Sequence, residues 1–183
     1  MIYGERIRLR ASEREDLPRF VTWLNDPEVI QFLLIHIPMS LASEERWFEN
    51  MQNRPPAEQV LVIEILVPGE PETWQPIGNT AFMGIDWVNR SAEIGIMIGE
   101  KSCWNQGYGR ETMRVMLKHG FETLNLNRIF LRVFEQNVRG IKAYEHAGFV
   151  HEGRMRQAEY KQGRYSDLLF MSVLRCEWFA QEG

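Results

Sequence analysis

One segment, from Glu93 to Glu135, limits the possible folds more than any other part of the sequence. It contains an apolar strand pattern, "AEIGIMIG", then a turn with Gly107 and Gly109, then apolar residues at helical spacing, and then a second strand pattern, "IFLRVF". Two neighbouring strands joined through a helix run parallel to each other, and such a crossover is right-handed in almost every protein. The segment therefore predicts a βαβ crossover with one pair of parallel strands.

The remaining patterns predict antiparallel strands and helices. The runs "VLVIEILV", "IGNTAFMGIDW" and "AEIGIMIG" follow one another at hairpin spacing, with a turn expected over Gly69–Pro76, and a later hairpin should close at Gln162–Gly163. A helix should begin in "SEREDLPRF", where Ser12 and Glu15 have the spacing of a capping box. We expect a mixed α/β fold, with a central, mostly antiparallel sheet, one parallel βαβ crossover and flanking helices, in a single domain over residues 1–183.

Composition excludes several classes of protein. No apolar run approaches the roughly 18 residues of a membrane span, and "MIYGERIRLRAS" lacks the apolar core of a signal peptide. The two cysteines form neither a CxxC motif nor a disulfide framework, which favours the cytoplasm. A net charge of −4 argues against a nucleic-acid partner and favours a cationic one. The four histidines show no metal-ligand spacing, so we expect no metal.

The glycines before the predicted helix are candidates for anion binding. A helix N-terminus leaves about four N–H groups without partners inside the helix and carries about half a positive charge, which suits phosphate. A nucleotide P-loop needs G-x-x-x-x-G-K-[ST], which is absent, and a dinucleotide fingerprint needs a third glycine where Thr112 stands. On these residues alone, Gly107 and Gly109 form either a phosphate-binding loop or an ordinary strand-to-helix turn.

Three motifs together indicate a family. In order, "AEIGIMIGE", "WNQGYGRETM" and "NVRGIKAYEHAGFVHEG" resemble the GNAT superfamily of acetyl-CoA-dependent N-acetyltransferases. In its phosphate loop, Q/R-x-x-G-x-G/A, Gly107 and Gly109 fill the glycine positions, while Trp104 stands where Gln or Arg is usual. The stretches "LRASEREDLPRFVTWLNDPEV" and "GRYSDLLFMSVL" look like the branch of ribosomal-protein alanine and spermidine acetyltransferases. The resemblance implies a GNAT fold with acetyl-CoA as cosubstrate.

The resemblance also implies which residues contact the cofactor. Backbone N–H groups of Gln106 to Arg110 would hold the pyrophosphate, and backbone donors around Met97 and Ile98, on a strand that bulges and splays, would polarise the thioester carbonyl. Asn137 would contact the pantetheine arm, and it could also cap a helix. The implied cofactor-binding residues are Met97, Ile98, Gly99, Trp104, Asn105, Gln106, Gly107, Tyr108, Gly109, Arg110 and Asn137.

Two side chains are candidates for proton transfer. Tyr144 matches the tyrosine of the family, and a phenol that titrates near pH 10 can donate its proton to the departing thiolate; without the motif it would be a half-buried aromatic. Glu93 opens a strand that is otherwise nearly all apolar, so desolvation there would raise its pKa and suit a general base. The alternative for Glu93 is a solvent-facing strand end. Cys103 has no histidine nearby in sequence, so we assign it no nucleophilic role.

The sequence therefore predicts an N-acetyltransferase that moves the acetyl group directly to a primary amine. A protein N-terminal α-amine is favoured as acceptor, and a polyamine or an amino sugar is the alternative. A non-catalytic acyl-CoA-binding module is the alternative of another class, and it would not need Tyr144. The acceptor site is expected from Pro27 to Pro38, from Arg54 to Gln59 and from Tyr160 to Tyr165. The C-terminal hairpin favours a homodimer, without membrane or nucleic-acid partners.

Overall fold

A computed structural model describes residues 1–67, 69 and 73–181, without the side chain of residue 181. The strands are β1 (Ile2–Tyr3), β2 (Ile7–Ala11), β3 (Leu61–Leu66), β4 (Trp74–Asp86), β5 (Ser91–Ile98), β6 (Arg128–Phe134), β7 (Val150–Lys161) and β8 (Arg164–Leu174). The helices are α1 (Leu17–Leu24), α2 (Pro27–Ile30), α3 (Leu41–Gln52), α4 (Tyr108–Lys118), α5 (Val138–Ala147) and α6 (Arg175–Gln181). A π-helical turn, His119–Thr123, continues α4.

The strands form one eight-stranded sheet in the order β1-β2-β3-β4-β5-β6-β8-β7. The pairs β1–β2, β2–β3, β3–β4, β6–β8 and β7–β8 are antiparallel. β5 and β6 are parallel, in a register of three pairs that begins at Ser91 opposite Arg128 and reaches Glu93 opposite Phe130. The predicted βαβ crossover and the mixed, mostly antiparallel α/β fold are confirmed.

Two compact units can be distinguished in the chain. The first unit comprises residues 1–82 and 96–108, and the second unit comprises residues 83–95 and 109–183. In the first unit, Leu17, Phe20 and Trp23 recur at helical spacing on α1 and are buried, because that face packs into an apolar cluster. The buried members of this cluster are Leu17, Phe20, Trp23, Val29, Phe48, Met51, Val60, Val62 and Met97.

The second unit has its own apolar interior. The buried face of α4 carries Met113, Met116 and Leu117, and the π-helical turn adds Phe121. Trp178 of α6 lies with its ring 6.1 Å from that of Phe121. The helix α6 is absent from our sequence predictions, since its seven residues are too few to show a helical period.

Two short-range predictions are confirmed by backbone geometry. Gly148 ends α5 in the left-handed conformation, with φ 106°, as expected of a helix-terminating glycine. Gln162 and Gly163 both have positive φ, 52° and 81°, and join β7 to β8 in the predicted hairpin. The turn predicted over Gly69–Pro76 is shorter than expected, because β4 already begins at Trp74; residues 70–72 of that turn lie outside the described residues.

The predicted capping box of Ser12 and Glu15 is wrong. The Asp16 carboxylate accepts a hydrogen bond from the Glu13 N–H at 2.9 Å, so the reciprocal contact is shifted by one residue. The Arg10 guanidinium explains the shift, because it binds both oxygens of Asp16 at 2.7 Å and fixes that carboxylate beside the chain turn. Among the described residues, the buried Ser12 hydroxyl has no hydrogen-bond partner.

Candidate active site

The loop between β5 and α4 has the backbone shape that its glycines predict. Gly107 has φ +86° and the preceding Asn105 has φ +61°, so two left-handed residues turn the chain into the helix. Gly109 lies in the first turn of α4, and a Cβ added there would meet nothing within 4 Å. A phosphate group fits this arrangement, because the N–H groups of a helix's first turn face an open approach.

Arg6 supplies a positive charge beside this loop. Its Nη1 donates to the Gln106 carbonyl at 3.1 Å, and its guanidinium carbon lies 4.8 Å from the centre of the Tyr108 ring. Its Nη2 would be 3.2 Å from a Cβ placed on Gly107. The sequence analysis missed Arg6, which precedes Gln106 by one hundred residues and belongs to none of the motifs.

Trp104 links the loop to the end of β5. Its indole Nε1 donates to the Ile98 carbonyl at 2.8 Å, and the half-buried ring packs against the apolar cluster of the first unit. This contact accounts for a tryptophan where the family usually has Gln or Arg, since the side chain anchors the loop through its ring. Contact of Trp104 with the cofactor stays a prediction.

The end of β5 is irregular where it lies against β4. The N–H groups of Gly99 and Glu100 both donate to the Ile77 carbonyl, at 2.9 and 3.0 Å, so two residues face one. This arrangement resembles a β-bulge and agrees with the bulge that the family resemblance implies. A Cβ placed on Gly78 would lie 2.0 Å from the Met97 carbonyl oxygen, so the two backbones meet only because Gly78 lacks one.

Tyr144 and Asn137 lie on and at the start of α5. Burial raises the pKa of the Tyr144 phenol to about 12, while the Arg139 guanidinium acts in the opposite direction. The phenol therefore carries its proton at neutral pH, as a proton donor must. Asn137 caps α5 by accepting a hydrogen bond from the Gly140 N–H at 3.0 Å, so the capping interpretation is confirmed, and its contact with the pantetheine arm stays a prediction.

Glu93 is held by an arginine. Arg132 Nε lies 2.8 Å from Oε1 of Glu93, and Arg132 Nη2 lies 3.0 Å from Oε2. The hydrogen bond to Glu93 is the main cause that raises the pKa of Arg132. Since both carboxylate oxygens accept from the guanidinium, Glu93 must loosen this pair before it can take a proton. Its role as general base stays a prediction.

A glycine turn at a helix N-terminus, placed within a βαβ crossover, defines a protein that binds an acyl-CoA. The chain belongs to the GNAT acetyltransferase family, because the model of the "Acetyltransferase (GNAT) domain" matches residues 6–150. The family resemblance drawn from the three motifs is thereby confirmed. Acetyl-CoA is the cosubstrate of this family, and the loop at Gly107 is consistent with that cosubstrate.

Individual relatives extend the similarity over nearly the whole chain. The chain is 34% identical over 178 residues to "Uncharacterized N-acetyltransferase p20" of Bacillus licheniformis, covering 97% of each. It is 30% identical over 175 residues to the spermidine N(1)-acetyltransferase of Vibrio cholerae, covering 96% of each. A crystal structure of spermidine N-acetyltransferase from Vibrio cholerae in complex with CoA and spermine superposes with a TM-score of 0.86 at 27% identity, covering 96% of this chain and 99% of that one. The chain is therefore an N-acetyltransferase rather than a non-catalytic binding module.

Two further observations concern membranes and metals. None of the helices in the described part of the chain is long and apolar enough to cross a membrane. The described residues contain no group of three or more histidine, cysteine, aspartate or glutamate side chains that could hold a metal ion.

Proposed function

We propose that this enzyme transfers the acetyl group of acetyl-CoA directly to a primary amine of a polyamine. The observation that carries the proposal is the likeness, at a TM-score of 0.86 along 96% of the chain, to a spermidine N-acetyltransferase in complex with CoA and spermine. The net charge of −4 is consistent with a cationic acceptor. This acceptor is the alternative of the sequence analysis rather than its first preference.

We assign the cofactor contacts to backbone groups in the loop. The N–H groups of Gln106 to Arg110 would hold the pyrophosphate, with Trp104 and Asn105 alongside. Backbone donors around Met97 and Ile98 would stabilise the oxyanion that forms on the thioester carbonyl. Arg6 would add positive charge to the phosphate end, because its guanidinium lies against Gln106 and Tyr108.

The reaction needs two proton transfers. The neutral amine attacks the thioester carbon, a carbon–nitrogen bond forms, and the carbon–sulfur bond breaks. The departing thiolate takes a proton from the Tyr144 hydroxyl, and solvent then reprotonates the phenolate. The nitrogen gives up its extra proton to a carboxylate or to water. Glu93 is the carboxylate that the sequence suggests, although Arg132 occupies both of its oxygens.

A protein N-terminal α-amine is the second candidate acceptor. The segment after α2 exposes apolar side chains, with Leu34 at 51% and Ile37 at 69% exposure, and such side chains suit a peptide more than a polycation. An α-amine also titrates near pH 8, so it needs less help to lose its proton than an alkyl amine near 10.4. The cytoplasmic location and the homodimer stay predictions beside both acceptors.

The test is a panel of acceptors assayed by CoA release and by the mass of the product. We expect spermidine and spermine to be acetylated more efficiently than peptides with a free N-terminus and than amino sugars. Preferential acetylation of the peptides would replace the polyamine with the second candidate. If none of these amines is acetylated, the proposed function is wrong.

A further inference from the structure

Glu44 is an acid in an apolar position. It lies on α3 and is only 3% exposed. The buried residues of this helix are Glu44, Phe48 and Met51, which are spaced by four and three residues and therefore share one face. Phe48 and Met51 belong to the apolar cluster of the first unit. A carboxyl group thus stands where the helical pattern calls for an apolar side chain.

The Glu44 carboxyl has no partner among the described residues. Burial is the only cause that raises its pKa, with neither a hydrogen bond nor a nearby charge contributing. The charged groups on the elements around α3 are engaged elsewhere: Arg19 of α1 lies over Trp23, Glu28 of α2 binds Lys101, and Glu64 of β3 binds Arg8 and Arg10. An unpaired carboxylate in an apolar interior is destabilising, so packing does not explain this residue.

Charged neighbours on α3 itself also point away from Glu44. Arg46 donates to the Ser43 hydroxyl at 3.2 Å, and Glu49 lies 3.6 Å from Arg14. Glu45 is half-exposed. None of these groups compensates the buried charge, so a cation from outside the chain would be its natural partner.

A row of aromatic rings leads from α3 to the end of β5. Trp47, three residues after Glu44, meets Phe20 edge-on with ring centres 6.4 Å apart. Phe20 stacks on Trp23 at 5.9 Å. The Trp23 ring lies so close to Gly99 that an added Cβ would be 2.1 Å from it. Met97 and Trp104 join the same cluster. The apolar surroundings shared by Glu44 therefore extend to the strand end where we expect the thioester.

We propose that Glu44 binds the ammonium group of the acceptor and accepts its proton before the amine attacks. The inference rests on the proposed function, since it names a residue for the acceptor of that reaction. An R–NH₃⁺ group entering the apolar cluster would pair with the carboxylate. Transfer of one N–H proton to Oε would then leave a neutral amine with a free lone pair, and the protonated carboxyl would lose its proton to solvent after turnover. Burial that raises the pKa of Glu44 makes this transfer easier.

The experiment compares Glu44→Gln with Glu45→Gln, its matched control on the same helix. With spermidine as acceptor, Glu44→Gln should lower kcat/KM at neutral pH by about 10²-fold, the usual range for loss of a general base. The defect should shrink as the pH approaches the amine's own pKa, near 10.4, where base catalysis is no longer needed. CoA binding, followed by thermal shift, should be unchanged. Glu45→Gln should match the wild type throughout.

Stability separates a catalytic role from a structural one. Because burial raises the pKa of Glu44 in the folded state, its charge destabilises the fold at neutral pH, and Glu44→Gln should raise the thermal midpoint there. A lower midpoint with an equal loss of activity at every pH would make Glu44 a structural residue and overturn the inference. Wild-type kcat/KM in Glu44→Gln would overturn it alone. A wild-type enzyme that acetylates no amine would overturn the proposed function as well.

Discussion

The substitution Gly78→Ala tests how closely β4 and β5 must approach. The new Cβ would lie 2.0 Å from the Met97 carbonyl oxygen and 3.0 Å from the Ile98 Cα, whereas real Cβ atoms essentially never come within 3.0 Å of another heavy atom. The contact with Met97 must therefore lengthen by at least 1.0 Å, from 2.0 to 3.0 Å. Since the opposing atom is backbone, rotation of a side chain cannot relieve the clash, and a strand has to move.

The expected magnitude follows from this displacement. Overpacking of this kind typically costs about 1–3 kcal/mol of the free energy of unfolding, and a shift of backbone rather than side chain places Gly78→Ala toward the upper end. Alanine stiffens the unfolded chain and returns about 0.4–1 kcal/mol. We expect a net loss of about 1–2 kcal/mol. Because Met97 is an expected oxyanion-binding residue, a 1 Å displacement there should also lower turnover by about 10²-fold.

Urea unfolding followed by circular dichroism gives the stability, and CoA release gives the turnover. The control is Gly153→Ala, where an added Cβ meets nothing within 4 Å, so its free energy of unfolding should stay within about 0.5 kcal/mol of wild type. If Gly78→Ala keeps both the wild-type urea midpoint and the wild-type turnover, the close approach of Gly78 to Met97 does not govern either property.

Three further substitutions test the cofactor and proton-donor assignments. Gly109→Val should abolish the CoA-induced rise in thermal midpoint with little change in the apo midpoint, since space is open at Gly109; an undiminished shift would contradict the phosphate loop. Tyr144→Phe should lower turnover by about 10²-fold without changing acetyl-CoA affinity, and wild-type turnover under chemistry-limited conditions would make Tyr144 a packing residue. Arg6→Gln should weaken CoA binding by about tenfold, and less at high salt, in calorimetric titrations with Arg14→Gln as control; equal dissociation constants at low salt would refute the role of Arg6.

The parts of the fold that were predictable depend on local signals. Gly148 and the pair Gln162–Gly163 are examples, because a positive φ at a fixed place in the pattern needs no knowledge of the rest of the chain. The parallel pair β5–β6 was predictable for a similar reason, since a helix between two strands leaves few topologies. The capping box failed because the Arg10–Asp16 ion pair, a contact outside the box, outweighs the local spacing.

The candidate site was only partly predictable. Gly107 and Tyr144 stand out in motifs, whereas Arg6 reaches the loop through a contact across one hundred residues, which no local pattern reveals. Glu44 had a usable signal, because it shares the helical spacing of Phe48 and Met51. Within "SASEERW"-like polar sequence of α3, however, a buried acid looks the same as a solvated one until the packing of that face is known.

Direct transfer of the acetyl group to a polyamine is the central claim, and intact-mass spectrometry tests it most directly. The enzyme is mixed with acetyl-CoA alone, its mass is recorded, and spermidine is then added. We predict that the mass of the enzyme stays unchanged and that each CoA released after the addition is matched by one acetylated spermidine. An enzyme that gains an acetyl group before spermidine is added, or CoA release without an acetylated amine, would contradict the account.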